Sequence, residues 1–103
     1  MRFVLLALAF ASAAVAAPIA TALPGDLTPY PALKGGPSPE AINNNCLSCH
    51  SADMAMTQPR LSEAEWRAEV AKMRGVFKAP IDPADDAAIV AWLTEWSRRL
   101  PAG

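Results

Sequence analysis

Apolar residues recur at Trp66, Val70, Met73 and Phe77, the i, i+4, i+7 and i+11 positions of one helical face. The helix they predict starts at Ser62-Glu63-Ala64-Glu65, which matches a capping box, and Gly75 ends it or lets it turn. A second stripe, Ile89, Trp92, Leu93, Trp96 and Leu100, follows Asp82-Pro83-Ala84-Asp85-Asp86. Those carboxylates suit the positive end of a helix dipole, and Arg98 and Arg99 suit the negative end. Ser38-Pro39 predicts a shorter helix running toward Cys46, with the hydroxyl as cap and proline in the first turn. No stretch alternates with the period of a strand and no segment repeats. The predicted fold is therefore all-α, with about three helices joined by irregular connections.

The N-terminus follows a different pattern. From Phe3 to Ala17 there is no charged residue, Arg2 precedes the run, and the run dissolves into small residues at Ala11-Ser12-Ala13-Ala14-Val15-Ala16. At about fifteen residues it is short for a membrane span and has no basic stop-transfer flank, so residues 1–16 read as a signal peptide. Cleavage after Ala16 fits best. A cut after Ala22 and retention as an uncleaved anchor are the alternatives. The expected location is the periplasm. Residues 17–37 then form an arm rich in proline and glycine, in which Pro24, Pro29, Pro31 and Pro37 forbid a helix or central strand. That arm reads as a surface linker or as a segment that packs on a partner protein. Residues 38–103 form the helical domain.

Of 103 residues, 9 are Lys or Arg and 10 are Asp or Glu, and loss of Arg2 with the leader tips the balance further toward acid. Nothing here resembles a nucleic-acid footprint or a polybasic membrane patch. A mature chain of roughly 80 to 87 residues buries only about 60 to 65% of its unfolded surface, so a staple is expected. The chain has 2 cysteines, enough for one disulfide at most.

Both cysteines lie in Cys46-Leu47-Ser48-Cys49-His50, which is the C-x-x-C-H attachment signature of c-type haem. Two thiols one helical turn apart reach the two vinyl groups along one porphyrin edge, and the next residue turns its imidazole toward the iron. Three rivals fit less well. A thioredoxin-like dithiol would follow a buried strand, and none is predicted before Cys46. A structural zinc site takes four ligands, whereas the chain has 2 cysteines and 1 histidine. A disulfide across two intervening residues would be strained and would leave His50 without a role. One covalent haem c, held by Cys46 and Cys49, would itself supply the apolar body that so short a chain lacks.

His50 is then one axial ligand, and the other must come from chain that has passed around the porphyrin edge, a path of roughly 20 Å or more. Met54 spans at most about 14 Å from His50 and Met56 about 21 Å, so neither is expected to ligate. Met73 lies 23 residues after His50 and shares a face with Trp66 and Val70. On an apolar stripe a methionine is ordinarily core packing, but with a haem present and no second histidine Met73 is the expected ligand. An open iron site, or a lysine such as Lys72 or Lys78, is the alternative. Met/His ligation fills both axial positions and raises the reduction potential, which suits outer-sphere electron transfer. His50 should donate its other ring nitrogen to a backbone carbonyl; Pro59 either supplies it or merely ends a loop. Arg60, Arg67 and Arg74 are within the sequence range of haem propionates, but solvated surface arginines are the commoner case.

Beyond the pentapeptide, the runs Asn44-Asn45-Cys46 through Ser51-Ala52-Asp53, Thr57-Gln58-Pro59, Glu69-Val70-Ala71-Lys72-Met73 and Lys78-Ala79-Pro80-Ile81-Asp82 give the chain a wider likeness. From about Leu23 to Trp96 it resembles the small monohaem cytochrome subunit of bacterial sulfite dehydrogenases, also called sulfite:cytochrome c oxidoreductases. The resemblance implies a helical cytochrome c fold with His50 and Met73 as axial ligands. It also implies a partner, a molybdenum subunit that oxidises sulfite, with a soluble cytochrome c as electron acceptor. The chain would carry electrons and have no catalytic centre of its own. A free-standing periplasmic electron carrier serving another dehydrogenase or a terminal oxidase is one alternative function, and a haem sensor or enzyme with an open distal site is another. The Arg98-Arg99 pair and the tail Leu100-Pro101-Ala102-Gly103 extend past the last helix of that family.

Overall fold

A computed structural model describes residues 28–101. The leader (1–16), the first part of the arm (17–27) and residues 102–103 lie outside the described residues. Four α-helices form: α1 (Glu40–Cys46), α2 (Asp53–Met56), α3 (Glu63–Gly75) and α4 (Asp86–Arg99). A 3-10 turn, Pro83–Asp85, leads into α4, and there is no strand among the described residues. The fold is all-α.

Each helix start has a local cause. Ser38 Oγ accepts from the Glu40 amide at 3.2 Å just ahead of α1, but the cap position itself falls on Pro39, one residue later than expected, and carries no side-chain cap. At α3 the capping box is complete: Ser62 Oγ accepts from the Glu65 amide, and the Glu65 carboxylate accepts from the Ser62 amide. Asp82 accepts from the Ala84 amide and opens the 3-10 turn, which moves the start of α4 to Asp86. The short α2 has no apolar periodicity. It forms where Thr57 and Gln58 donate back to the Asp53 and Met54 carbonyls.

Helix α4 is the spine. Ile89 and Trp92 are fully buried, Val90 and Leu93 nearly so, and both α1 and α3 pack against this helix. Its polar positions are used as well. Ser97 Oγ accepts from the buried Trp66 indole at 2.8 Å and from the Leu61 amide at 3.4 Å. Trp92 and Trp96 donate to the carbonyls of Pro31 and Met56, so indole groups fasten the arm and the end of α2 to α4. At the other end Arg74 of α3 grips both carboxylate oxygens of Asp86 and also donates to the Ile81 carbonyl.

Two expectations change. Phe77 continues the α3 period on paper but is 63% exposed, because the helix stops at Gly75 and the chain then turns through Lys78 with φ of 57°. A helical period says nothing about a side chain beyond the helix end. The described part of the arm is not a free linker, since Tyr30 and Leu33 belong to the chain's own core. Asn43 of α1 holds Tyr30 by both backbone groups, accepting from its amide at 2.8 Å and donating to its carbonyl at 3.1 Å. The turn after Leu33 needs both its glycines: Gly35 has φ of 69°, and a Cβ on Gly36 would sit 2.9 Å from the Leu33 Cβ.

Candidate functional site

The pentapeptide begins at the last residue of α1. Cys46 is half-buried, Cys49 is exposed, and the two sulfurs are not bridged. Burial pushes the Cys46 thiol up to about 11, and the charge of Cys49 pushes the same way. A redox dithiol needs the opposite, a thiolate stabilised at the positive end of a helix, whereas Cys46 sits at the negative end. The dithiol reading therefore loses its electrostatic basis. Among the described residues no three His, Cys, Asp or Glu side chains gather as a metal-binding group, so a four-ligand zinc site is not assembled.

His50 Nδ1 lies 3.1 Å from the Ser51 carbonyl oxygen. A carbonyl only accepts, so this contact calls for the proton on Nδ1 and leaves the Nε2 lone pair available as a ligand. The orienting carbonyl is thus that of Ser51 and not that of Pro59. An adjacent residue reaches the ring without any chain reversal.

A cavity of about 440 Å³ opens between the pentapeptide, α2 and α3. Cys46, His50 and Met73 all line it, with apolar walls that include Ile42, Val70 and Leu93. Cys49 is on the exposed side and is not part of its lining. The volume lies in the range of cofactor sites. Pro59 lines the cavity too, as does Met54 on α2, although Met54 is 56% exposed while Met73 packs against the core. Of the alternative lysines, Lys72 lines the cavity and pairs there with Glu69 at 3.4 Å, and Lys78, outside the lining, donates from Nζ to the Gly75 carbonyl at 2.7 Å.

The three arginines are also taken. Arg60 donates to the Ser97 and Arg98 carbonyls at the end of α4, Arg67 pairs with Glu63 on the surface, and Arg74 holds Asp86. Tyr30, which the sequence did not mark, also lines the cavity and is 2% exposed. Burial pushes its phenol well above the ordinary tyrosine range, and the nearby Cys46 thiol adds to the effect. Its signal was hidden in a proline-rich stretch without periodicity.

The donor set fits a haem. Soft sulfur and a neutral imidazole face an apolar cavity, which suits iron in a porphyrin and would not suit a hard, oxygen-seeking cation. Neither a scan against protein-family models nor a search of curated proteins finds a match to this chain.

Proposed function

We propose that this chain is a c-type cytochrome that carries single electrons as a subunit of a periplasmic sulfite dehydrogenase. The observation that carries the proposal is that Met73, 23 residues after His50 in sequence, lines the same largely apolar cavity as Cys46 and His50 of the C-x-x-C-H pentapeptide. Cys46 and Cys49 would hold one haem c covalently, and His50 Nε2 and the Met73 sulfur would hold its iron. When bound, that group supplies a one-electron iron couple.

The protein's own residues do the rest. The Ser51 carbonyl fixes the His50 tautomer and ring orientation. Val70, Ile42 and Leu93 give the cavity apolar walls, and packing of the partly buried Met73 against the core favours it over the exposed Met54. With His50 and Met73 both holding its iron, the group would pass electrons and would not bind a small substrate. Sulfite chemistry then belongs to a separate molybdenum polypeptide, and a soluble cytochrome c takes the electron onward. This part of the reading is supported by the likeness of the four sequence runs quoted above.

The test is purification from the native host. The expected result is a coloured chain that travels with a molybdenum protein and whose haem is reduced by sulfite in that complex. A coloured chain that stays oxidised under those conditions is a free-standing carrier, and a ferrous form that binds carbon monoxide readily is a sensor or enzyme with an open site. A colourless chain, matured alongside a working haem-attachment system, removes the cytochrome reading altogether.

A further inference from the structure

We infer that Asn45 and Arg74 are positioning residues for the iron ligands, which keep Met73 in register with the pentapeptide by fastening both to one corner of the chain, residues 81–86. The inference rests on the haem reading above and concerns two residues outside the attachment motif and the axial pair.

Each of the two is the chain neighbour of a residue that would hold the haem: Asn45 precedes Cys46, and Arg74 follows Met73. Asn45 is 7% exposed and engages both ends of its amide. Its Oδ1 accepts from the Asp82 amide at 2.9 Å, and its Nδ2 donates to the Asp85 carboxylate and the Ala41 carbonyl, both at 2.8 Å. From α3, Arg74 donates to the Ile81 carbonyl at 3.2 Å and to both carboxylate oxygens of Asp86. The Ala79 amide donates to the Met73 carbonyl at 3.0 Å and closes the loop after α3, and Ile81 itself lines the cavity. The corner is thus tied on one side to the residue before the first cysteine and on the other to the residue after the methionine.

Stability gives a weak reason for this arrangement. The Arg74 and Asp86 side chains are 31% and 36% exposed, and ion pairs at such exposure contribute little to folding. What a two-pronged guanidinium–carboxylate contact does supply is fixed geometry. Geometry is what a methionine ligand needs, because a thioether is a soft donor that binds ferric iron weakly and stays on it only where the chain holds it there. Helix α3 is anchored near its start by the Trp66 indole on Ser97. Met73 lies near the other end, where Arg74 ties the helix to the corner.

The test compares the matured wild-type protein with Arg74→Gln and Asn45→Ala, using Met73→Ala as the fully open reference and Arg67→Gln as the control. Arg67 lies on the same helix and its loss removes the same charge, but its partner is Glu63 at the helix start. The probe is added imidazole, whose apparent affinity for the ferric iron rises in proportion to the fraction of molecules with Met73 off the metal. Arg74→Gln and Asn45→Ala are expected to retain covalent haem, to show a weakened far-red band of methionine sulfur on ferric iron, and to bind imidazole several-fold more tightly than the wild type. Both should bind it less tightly than Met73→Ala, and Arg67→Gln should match the wild type. A wild-type band and affinity in either variant overturn that residue's assignment even if its melting temperature falls, because a merely structural role would move only the latter. An equal change in Arg67→Gln overturns the inference as a whole. If Asn45→Ala does not accumulate, Arg74→Gln decides alone. A wild-type chain that is colourless, or coloured without the far-red band, is a different failure: it removes the haem or its Met73 ligand, and the inference with it, before any variant is made.

Discussion

Removing one oxygen from Ser97 would strand two donors at once, the Trp66 indole and the Leu61 amide. Ser97→Ala is expected to cost about 1–3 kcal/mol, since the indole is buried and has no water to turn to, and chemical denaturation would measure the loss. The two methionines of the cavity should differ in kind. Met73→Ala should keep covalent haem while lowering the reduction potential and slowing electron transfer, and Met54→Ala should leave both nearly unchanged; redox titration of the two variants checks this. At this scale the pentapeptide can be read from the sequence alone, because its pattern is one of spacing along the chain. Ser97 and Tyr30 cannot. A serine on a helix and a tyrosine among prolines acquire their roles only from residues more than ten positions away, and nothing local marks them.

The capping box of α3 gives a prediction for an element. Ser62→Ala should lower stability by about 1 kcal/mol, read as a fall in melting temperature. The same box predicts a pH dependence. Hydrogen bonds from the Ser62 amide, and then from its hydroxyl, hold the Glu65 carboxyl below the usual carboxylate range. A lowered folded value means that this contribution is complete above the unfolded glutamate value of about 4.3 and is lost as pH falls through the folded value. Melting curves of the wild type and Glu65→Gln should therefore converge under acid, with the wild type the more stable above that range. Helices α3 and α4 were legible in their caps, their stripes and the stop at Gly75, because these are statements about neighbouring residues. The departures come where one element hands over to the next. Phe77 fell beyond the helix whose period it matched, and Asp82 to Asp85 became a 3-10 turn ahead of α4.

For the whole molecule the decisive quantity is the cavity of about 440 Å³ inside so short a chain. A domain of this size has little core to spare, and the walls of that cavity are a large share of it. If haem fills the space, the double variant Cys46→Ser, Cys49→Ser should be colourless and should unfold at a much lower temperature, with a broadened transition. Calorimetry of the two exported proteins would register the difference. A melting transition as sharp and as high as that of the wild type would mean that the helices stand without a cofactor.

The chain's three tryptophans are all gathered at this centre. Trp66 lines the cavity, Trp92 touches Tyr30, and Trp96 stacks on Trp92 with centroids 5.7 Å apart. No indole is placed at a distance from the space a porphyrin would fill, so a strongly absorbing chromophore there would drain the excitation of each. The matured protein should be almost dark in ultraviolet emission. Unfolding it should restore a glow, and the brightening would report directly on the separation of helix from pigment.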